Sequence, residues 1–328
     1  MAEGRMNPAT SSTSAGGRPA LRVTEKKSIA AGVCRLTLVD PRGERLPDWE
    51  PGAHIELTLR QGLTRQYSLC GDRWDPMAYQ IAVLREPSSR GASEYIHDEL
   101  SVGDSVEVGG PRNNFRMVPA EGYLLIAGGI GITPLIPMIA QAEMMNLPWT
   151  LLYSGRQLET MAFADQMSEY GAHAVVRATD TGDRLDLAAS IEAAPRGTKI
   201  YCCGPEAMVD AVESYCARLP AGMLRRERFA AKERQAPVRS LPYEVELAQT
   251  GKRLVLQPGE SVLDAVVAAG VPLLASCREG LCGTCETPVL AGVPDHRDSI
   301  LDARERERND TFFPCVSRAA SDRLVIDA

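Results

Sequence analysis

Four cysteines near the C-terminus constrain this chain most. Cys277, Cys282 and Cys285 stand in SCREGLCGTC, spaced C-x4-C-x2-C, and Cys315 follows far downstream in FFPCVSRA. That is the plant-type spacing for a 2Fe–2S cluster, whose two irons each take two protein thiolates. Three ligands from one short stretch require a loop wrapped around the cluster. Gly280 and Gly283 let such a loop bend and let backbone N–H groups approach the cluster sulfurs. A structural zinc site is the competing use, but it usually has closely spaced ligand pairs on both sides. Here a single C-x2-C has only a lone distant partner. Such a cluster cycles one electron, so the rest of the chain is expected to supply electrons singly.

The 328 residues suit two or three domains. No run of about 18 apolar residues occurs, so no membrane-spanning helix is expected. The first stretch, MAEGRMNPATSSTSAGGRPA, lacks an apolar core and reads as a disordered leader over residues 1–18 rather than an export signal. The remaining cysteines (Cys34, Cys70, Cys202, Cys203 and Cys216) then read as reduced thiols in a cytoplasmic protein. A net charge of −7 gives nucleic-acid binding no electrostatic support. From Leu241 onward there are 14 acidic and 9 basic residues, a net charge of −5. That excess suits either a solvated surface or a docking face for a basic partner.

The segment from about Leu21 to Arg116 is β-rich. Short alternating runs such as AHIELTLR, TRQYSLCG and AYQIAVLRE are separated by Gly, Pro and Asp turns, which predicts a small antiparallel barrel. A helix is predicted over Ala92–Glu99. In Arg65-Gln66-Tyr67-Ser68-Leu69, strand geometry puts Arg65, Tyr67 and Leu69 on one face and Ser68 on the other. A cation, an aromatic edge and a hydroxyl can hold a planar ring and its phosphate, although a surface Arg beside a half-buried Tyr is the commoner meaning. Ser89-Arg90-Gly91-Ala92-Ser93 opens the helix and reads either as a phosphate cradle or as a simple N-cap.

From Gly122 to about Ala231, strand and helix patterns alternate, predicting a parallel, doubly wound sheet. Tyr123–Ala127 is a buried strand leading into Gly128-Gly129-Ile130-Gly131-Ile132-Thr133-Pro134. Thr133 is expected to cap the following helix, with Pro134 in its first turn. Further strands are expected at Trp149–Ser154, His173–Ala178 and Lys199–Cys203, with helices over Met161–Tyr170 and from Glu206 to about Arg218. The glycine turns at Gly128–Pro134 and at Cys203-Gly204-Pro205 fall at C-terminal strand ends, where ligands of such sheets sit. Leu224–Arg234 is a dense charged run holding one aromatic, Phe229, and an interdomain linker follows. From Tyr243 a hairpin, a helix over Val262–Gly270, the cysteine loop, a short helix after Asp298 and a last strand suggest a β-grasp-like α+β domain.

With these motifs in this order, the chain resembles the phthalate dioxygenase reductase-type family over about residues 21–328. The resemblance implies an antiparallel β-barrel flavin domain (19–118), an α/β nicotinamide domain (119–232), a linker (233–242) and a plant-type ferredoxin domain (243–328). It implies FMN held by Arg65, Tyr67 and Ser68, by Ala82 and Val83 beside the ring, and by Arg90, Gly91, Ala92 and Ser93 at the phosphate, with Phe229 stacked on the flavin. The nicotinamide turn is matched by Gly128, Gly129, Gly131, Thr133 and Pro134, with Cys203, Gly204 and Pro205 opposite. Cys203 and Thr133 fall near the hydride path, and Ser154 and Arg156 at the adenosine ribose. The nucleotide is NADH by the family's habit, with NADPH open because Arg156 can meet a 2′-phosphate.

The implied reaction carries a hydride from nicotinamide to flavin and then single electrons through the cluster to a terminal oxygenase, a Rieske-type aromatic oxygenase or a demethylase. The cofactors carry this chemistry, so no acid–base or nucleophilic side chain is required. Alternatives are a reductase for a cytochrome P450 or other monooxygenase, a non-catalytic redox sensor, and a zinc-bearing adaptor. Cys285→Ser is expected to abolish delivery to the acceptor while sparing flavin reduction by the nucleotide. Rapid-mixing absorbance checks this, and an equal loss of flavin reduction would contradict the order of the carriers.

Overall fold

A computed structural model describes residues 18–86, 91–182, 184–220, 222–230 and 236–328. The leader over 1–17 and the expected phosphate residues Ser89 and Arg90 lie outside the described residues.

The first sheet holds β1 (Ala20–Ala30), β2 (Val33–Val39), β3 (His54–Thr58), β4 (Thr64–Ser68), β5 (Ala78–Leu84) and β6 (Ser105–Arg112) in the order β4-β3-β6-β1-β2-β5. All its pairings are antiparallel, and a bridge from Leu69 to Ile81 joins its two outer strands. The pleat sends Ile55, Leu57, Leu36, Leu38 and Ile81 into a shared core. Truncating one such leucine to alanine costs roughly 2–5 kcal/mol. Helix α1 (Ala92–Asp98) closes one end with Ile96.

The second sheet, β7 (Gly122–Gly128), β8 (Trp149–Gly155), β9 (Ala174–Ala178), β10 (Thr198–Cys203) and β11 (Leu224–Glu227), is parallel with order β11-β10-β7-β8-β9. Its strands are apolar at successive positions because both faces are covered. Leu125, Ala127, Leu151, Tyr153 and Tyr201 pack on one side with α2 (Ile136–Met144) and α3 (Ala164–Ser168). Leu124, Ile126, Leu152, Ile200 and Cys202 pack on the other with α4 (Leu187–Glu192) and α5 (Glu206–Cys216).

Three expectations change here. Leu224–Glu227, expected as the start of a charged run, is an edge strand. Its Arg228 neighbour is buried and sits 2.6 Å from Asp210 and 2.7 Å from Glu213 on α5, so the charges are internal pairs. The helix expected over Met161–Tyr170 is only Ala164–Ser168. Thr133 does not cap a helix: α2 starts later, and the Thr133 hydroxyl donates to the Ile130 carbonyl at 3.0 Å, closing the 3-10 turn Gly129–Ile132.

The last unit is a mixed sheet of β12 (Tyr243–Leu247), β13 (Lys252–Leu256), β14 (Thr287–Ala291), a short pair β15 (Pro294–Asp295) and β17 (Arg318–Ala319), β16 (Thr311–Phe312) and β18 (Arg323–Ile326). The main sheet runs β13-β12-β18-β14-β16, with β12 and β18 parallel. Helix α6 (Val262–Ala268) is capped by Ser261, and α7 (Ala303–Arg308) begins in a capping box between Asp302 and Glu305. Among the described residues no helix is long and apolar enough to cross a membrane.

Candidate functional site

The cysteine loop lies between α6 and β14, and its backbone is left-handed at Arg278, Gly280 and Gly283. Gly280 needs that freedom and its missing Cβ, since an added Cβ would lie 2.7 Å from Val316 Cγ2 and 3.0 Å from Asp298 Cα. The Glu279 and Leu281 N–H groups point at Cys277 Sγ at 3.3 and 3.5 Å, the donors that a metal-bound thiolate needs. Cys282, Cys285 and Cys315 are buried and Cys277 is half-buried.

The four thiols meet as two pairs. The Cys282 thiol is held down to about 5, first by its hydrogen bond with Cys277 and further by Thr284, while the same bond pushes Cys277 up. Cys285 is likewise lowered by its bond to Cys315, which is raised in turn. Pairing Cys277 with Cys282 and Cys285 with Cys315 suits two irons that would each take two thiolates.

The expected flavin strand is β4. Arg65 and Tyr67 share a face with the cross-strand core residues Leu57 and Ile55, while Gln66 and Ser68 share the opposite face with Glu56 and His54. Burial raises the Tyr67 phenol. Ala82 is buried in the core that includes the second sheet, whereas the Val83 side chain points into the first sheet's own core. Gly91 is left-handed at φ 97°, Ala92 and Ser93 are buried, and Ser93 Oγ accepts the Glu86 N–H at 3.1 Å.

At the ends of β7 and β10 the two glycine turns pack back to back. A Cβ on Gly128 would sit 2.5 Å from Pro205 Cδ, one on Gly204 would sit 2.9 Å from Gly128 Cα, and one on Gly131 would collide with the Cys203 carbonyl. Only glycine permits this approach. Thr133, Ser154 and Cys203 are buried. Arg156 is exposed beyond β8, and its carbonyl accepts the Asp180 N–H at 3.0 Å. Phe229 is 44% exposed just past β11.

Sequence reasoning missed the group at the centre of this junction. Glu227 Oε2 lies 3.5 Å from Ser68 Oγ and 3.9 Å from Cys203 Sγ, joining the first sheet to the second. Burial pushes its carboxyl up to about 8, and the bonds to Ser68 and Cys203 offset only part of that. The available signal was a carboxylate two residues before the expected ring-stacking Phe229, hidden inside a run of charges.

A family model for the 2Fe-2S iron-sulfur cluster binding domain matches residues 245–320. Over 305 residues the chain is 41% identical to the phenoxybenzoate dioxygenase subunit beta of Ectopseudomonas oleovorans, spanning 92% of this chain and 95% of that one. Over 313 residues it is 36% identical to the phthalate dioxygenase reductase of Burkholderia cepacia, spanning 94% and 96%. The solved structure of phthalate dioxygenase reductase, a modular structure for electron transfer from pyridine nucleotides to 2Fe-2S, matches with TM-score 0.68 and 34% identity over 95% of this chain and 98% of that chain. An intact type IV self-sufficient cytochrome P450 monooxygenase matches with TM-score 0.89 and 36% identity, over 99% of this chain and 43% of that chain. The fold and site therefore define a modular electron-transfer oxidoreductase using a flavin, a nicotinamide nucleotide and a 2Fe–2S cluster. The chain belongs to the phthalate dioxygenase reductase family, whose cofactors are FMN, NADH and that cluster.

The position of Glu227 has a pH signature. Its carboxyl ionises near 4.5 when unperturbed and near 8 in the fold, so the fold holds a proton that the unfolded chain releases. The associated stability is full below the lower value and is lost as pH rises to the upper one. Thermal melts should show wild-type Tm falling across this window relative to Glu227→Gln, and parallel curves would contradict the assignment.

Proposed function

We propose that the first sheet forms an FMN-holding barrel (19–118), the second a nicotinamide domain (119–232) and the third a β-grasp ferredoxin unit (243–328), joined by a linker (233–242). In this reading the chain carries electrons from NADH to a terminal oxygenase component of Rieske type, an aromatic oxygenase or a demethylase. The observation that carries it is the seat of the cysteine loop. Thr284, between Cys282 and Cys285, lies 2.9 Å from Glu56 on β3, and Ser276, next to Cys277, lies 3.3 Å from Gln66 on β4. The cluster ligands are thus fastened to the strand that holds the expected flavin motif.

When bound, the nicotinamide supplies a hydride, the flavin accepts it as a pair of electrons, and the cluster passes electrons on one at a time. The protein's share is orientation, charge and exclusion of water. Arg65, Tyr67 and Ser68, with Arg90, Gly91, Ala92 and Ser93, would hold the flavin and its phosphate, with Ala82 beside the ring and Phe229 stacked on it. Gly128, Gly129, Gly131, Thr133 and Pro134 would meet the nucleotide opposite Cys203, Gly204 and Pro205, with Ser154 and Arg156 toward the adenosine. Glu227 holds its proton at neutral pH, 3.5 Å from the Ser68 hydroxyl, and keeps an unneutralised negative charge out of the hydride path. A reducing cytoplasm suits the thiol chemistry.

A second reading, delivery to a cytochrome P450, is favoured by the likeness to the self-sufficient P450 chain. Reconstitution separates the two. With NADH, the protein should drive coupled product formation by a purified Rieske-type oxygenase component. Haem reduction of a ferric P450 under carbon monoxide, with no turnover by the Rieske component, would favour the second reading instead.

A further inference from the structure

We propose that Glu56 is a positioning residue: it latches both ends of the cluster-binding loop onto the flavin strand, and its charge sets the potential of the cluster. The inference rests on the electron path proposed above.

Glu56 is fully buried, at 0% exposure, on β3 directly opposite Gln66 of β4. Its Oε1 lies 2.9 Å from Thr284 Oγ1, 3.1 Å from Arg112 Nη1 and 3.4 Å from Gln66 Nε2. Its Oε2 lies 2.8 Å from Arg18 Nη2, an ion pair without the alignment of a hydrogen bond. Burial alone would push the carboxyl up, but Ser276, Arg112, Thr284 and Arg18 together outweigh it and hold the group below its ordinary value. Glu56 is therefore a buried anion, which is costly to hold unless charge and hydrogen bonds surround it.

One of its partners, Thr284, belongs to the cysteine loop, and another, Gln66, donates to Ser276 of that loop at 3.3 Å. Ser276 precedes Cys277, and Thr284 stands between Cys282 and Cys285, with its hydroxyl 3.1 Å from Cys282 Sγ. The carboxylate therefore reaches the loop directly at Thr284 and through Gln66 at Ser276, on both sides of the three clustered ligands, and meets a ligand sulfur through a single hydroxyl. The contact is close along its length, because a Cβ on Gly283 would lie 2.6 Å from Asn114 Nδ2 in the segment following β6. A side chain serving only the first sheet would have no reason to direct a buried charge at residues 220 and 228 positions away. Removing the anion removes repulsion toward an added electron, so the potential of the cluster should rise.

The test uses the holoprotein with Glu56→Ala and Glu56→Gln under anaerobic rapid mixing with NADH, plus an EPR-monitored potential titration. Flavin bleaching should stay within about twofold of wild type in both variants, because Glu56 lies outside the nucleotide turns. In Glu56→Ala the later bleaching of the cluster should slow by about tenfold or more. Glu56→Gln retains an oxygen that accepts from Thr284, so it should recover most of that rate yet show a raised potential. If Glu56→Ala does not fold, the raised potential of Glu56→Gln still decides the charge effect. Wild-type cluster reduction and potential in both variants would overturn the proposal, as would equal slowing of the flavin step. Wild-type protein whose flavin NADH does not bleach would instead overturn the underlying electron path.

Discussion

One two-stranded ribbon has to serve three units at once, and the alternation of a pleated strand makes that possible. On β3 and β4, Ile55, Leu57, Arg65 and Tyr67 take one face, and His54, Glu56, Gln66 and Ser68 take the other. The first face builds the core of the first sheet and carries Arg65 and Tyr67, the cation and aromatic of the proposed flavin site. The second meets the second sheet through Ser68 and Glu227, and the cysteine loop through Glu56 and Gln66. A register slip of a single residue would exchange the faces and disconnect both neighbours.

Two carboxylates at this junction, Glu56 fully buried and Glu227 half-buried, are driven in opposite directions. Among the described residues, Glu227 has the Ser68 hydroxyl and the Cys203 thiol beside it and no cation, so desolvation wins and its carboxyl is pushed up to about 8. Glu56 has Arg18 and Arg112 as well as hydroxyl donors, so its surroundings overcome burial and it stays charged. The difference suits their positions. A neutral group beside the nucleotide turns leaves the approach of an anionic nucleotide unopposed, and a charged one beside the cysteine loop supplies strong, oriented hydrogen bonds.

Much of this was legible from residues alone. The cysteine spacing pointed to the 2Fe–2S domain that the family model matches over residues 245–320, and the alternation of AHIELTLR and TRQYSLCG placed β3 and β4. The glycines at 128, 131 and 204 read as ligand turns at strand ends; that they also let the two turns pack back to back is seen only in the structure. What escaped was long-range pairing. LRRE looks like solvated charge until Arg228 is seen to sit against Asp210 and Glu213, which turns the run into an edge strand and brings Glu227 inward. Glu56 reads as an ordinary outward residue of a half-buried strand, and nothing local announces that Thr284 will cover it. Thr133 misled because a hydroxyl before a helical run usually caps it, whereas here a 3-10 turn consumes the hydroxyl first.

The central claim is that a nucleotide, a flavin and a cluster form one ordered path, and anaerobic titration with NADH, followed by visible absorbance and EPR, tests it most directly. The account predicts combined flavin and iron–sulfur absorbance at the start, bleaching of both on addition of NADH, and a rhombic EPR signal from the reduced cluster. A colourless zinc-containing protein, or a coloured one that neither NADH nor NADPH reduces, would contradict it.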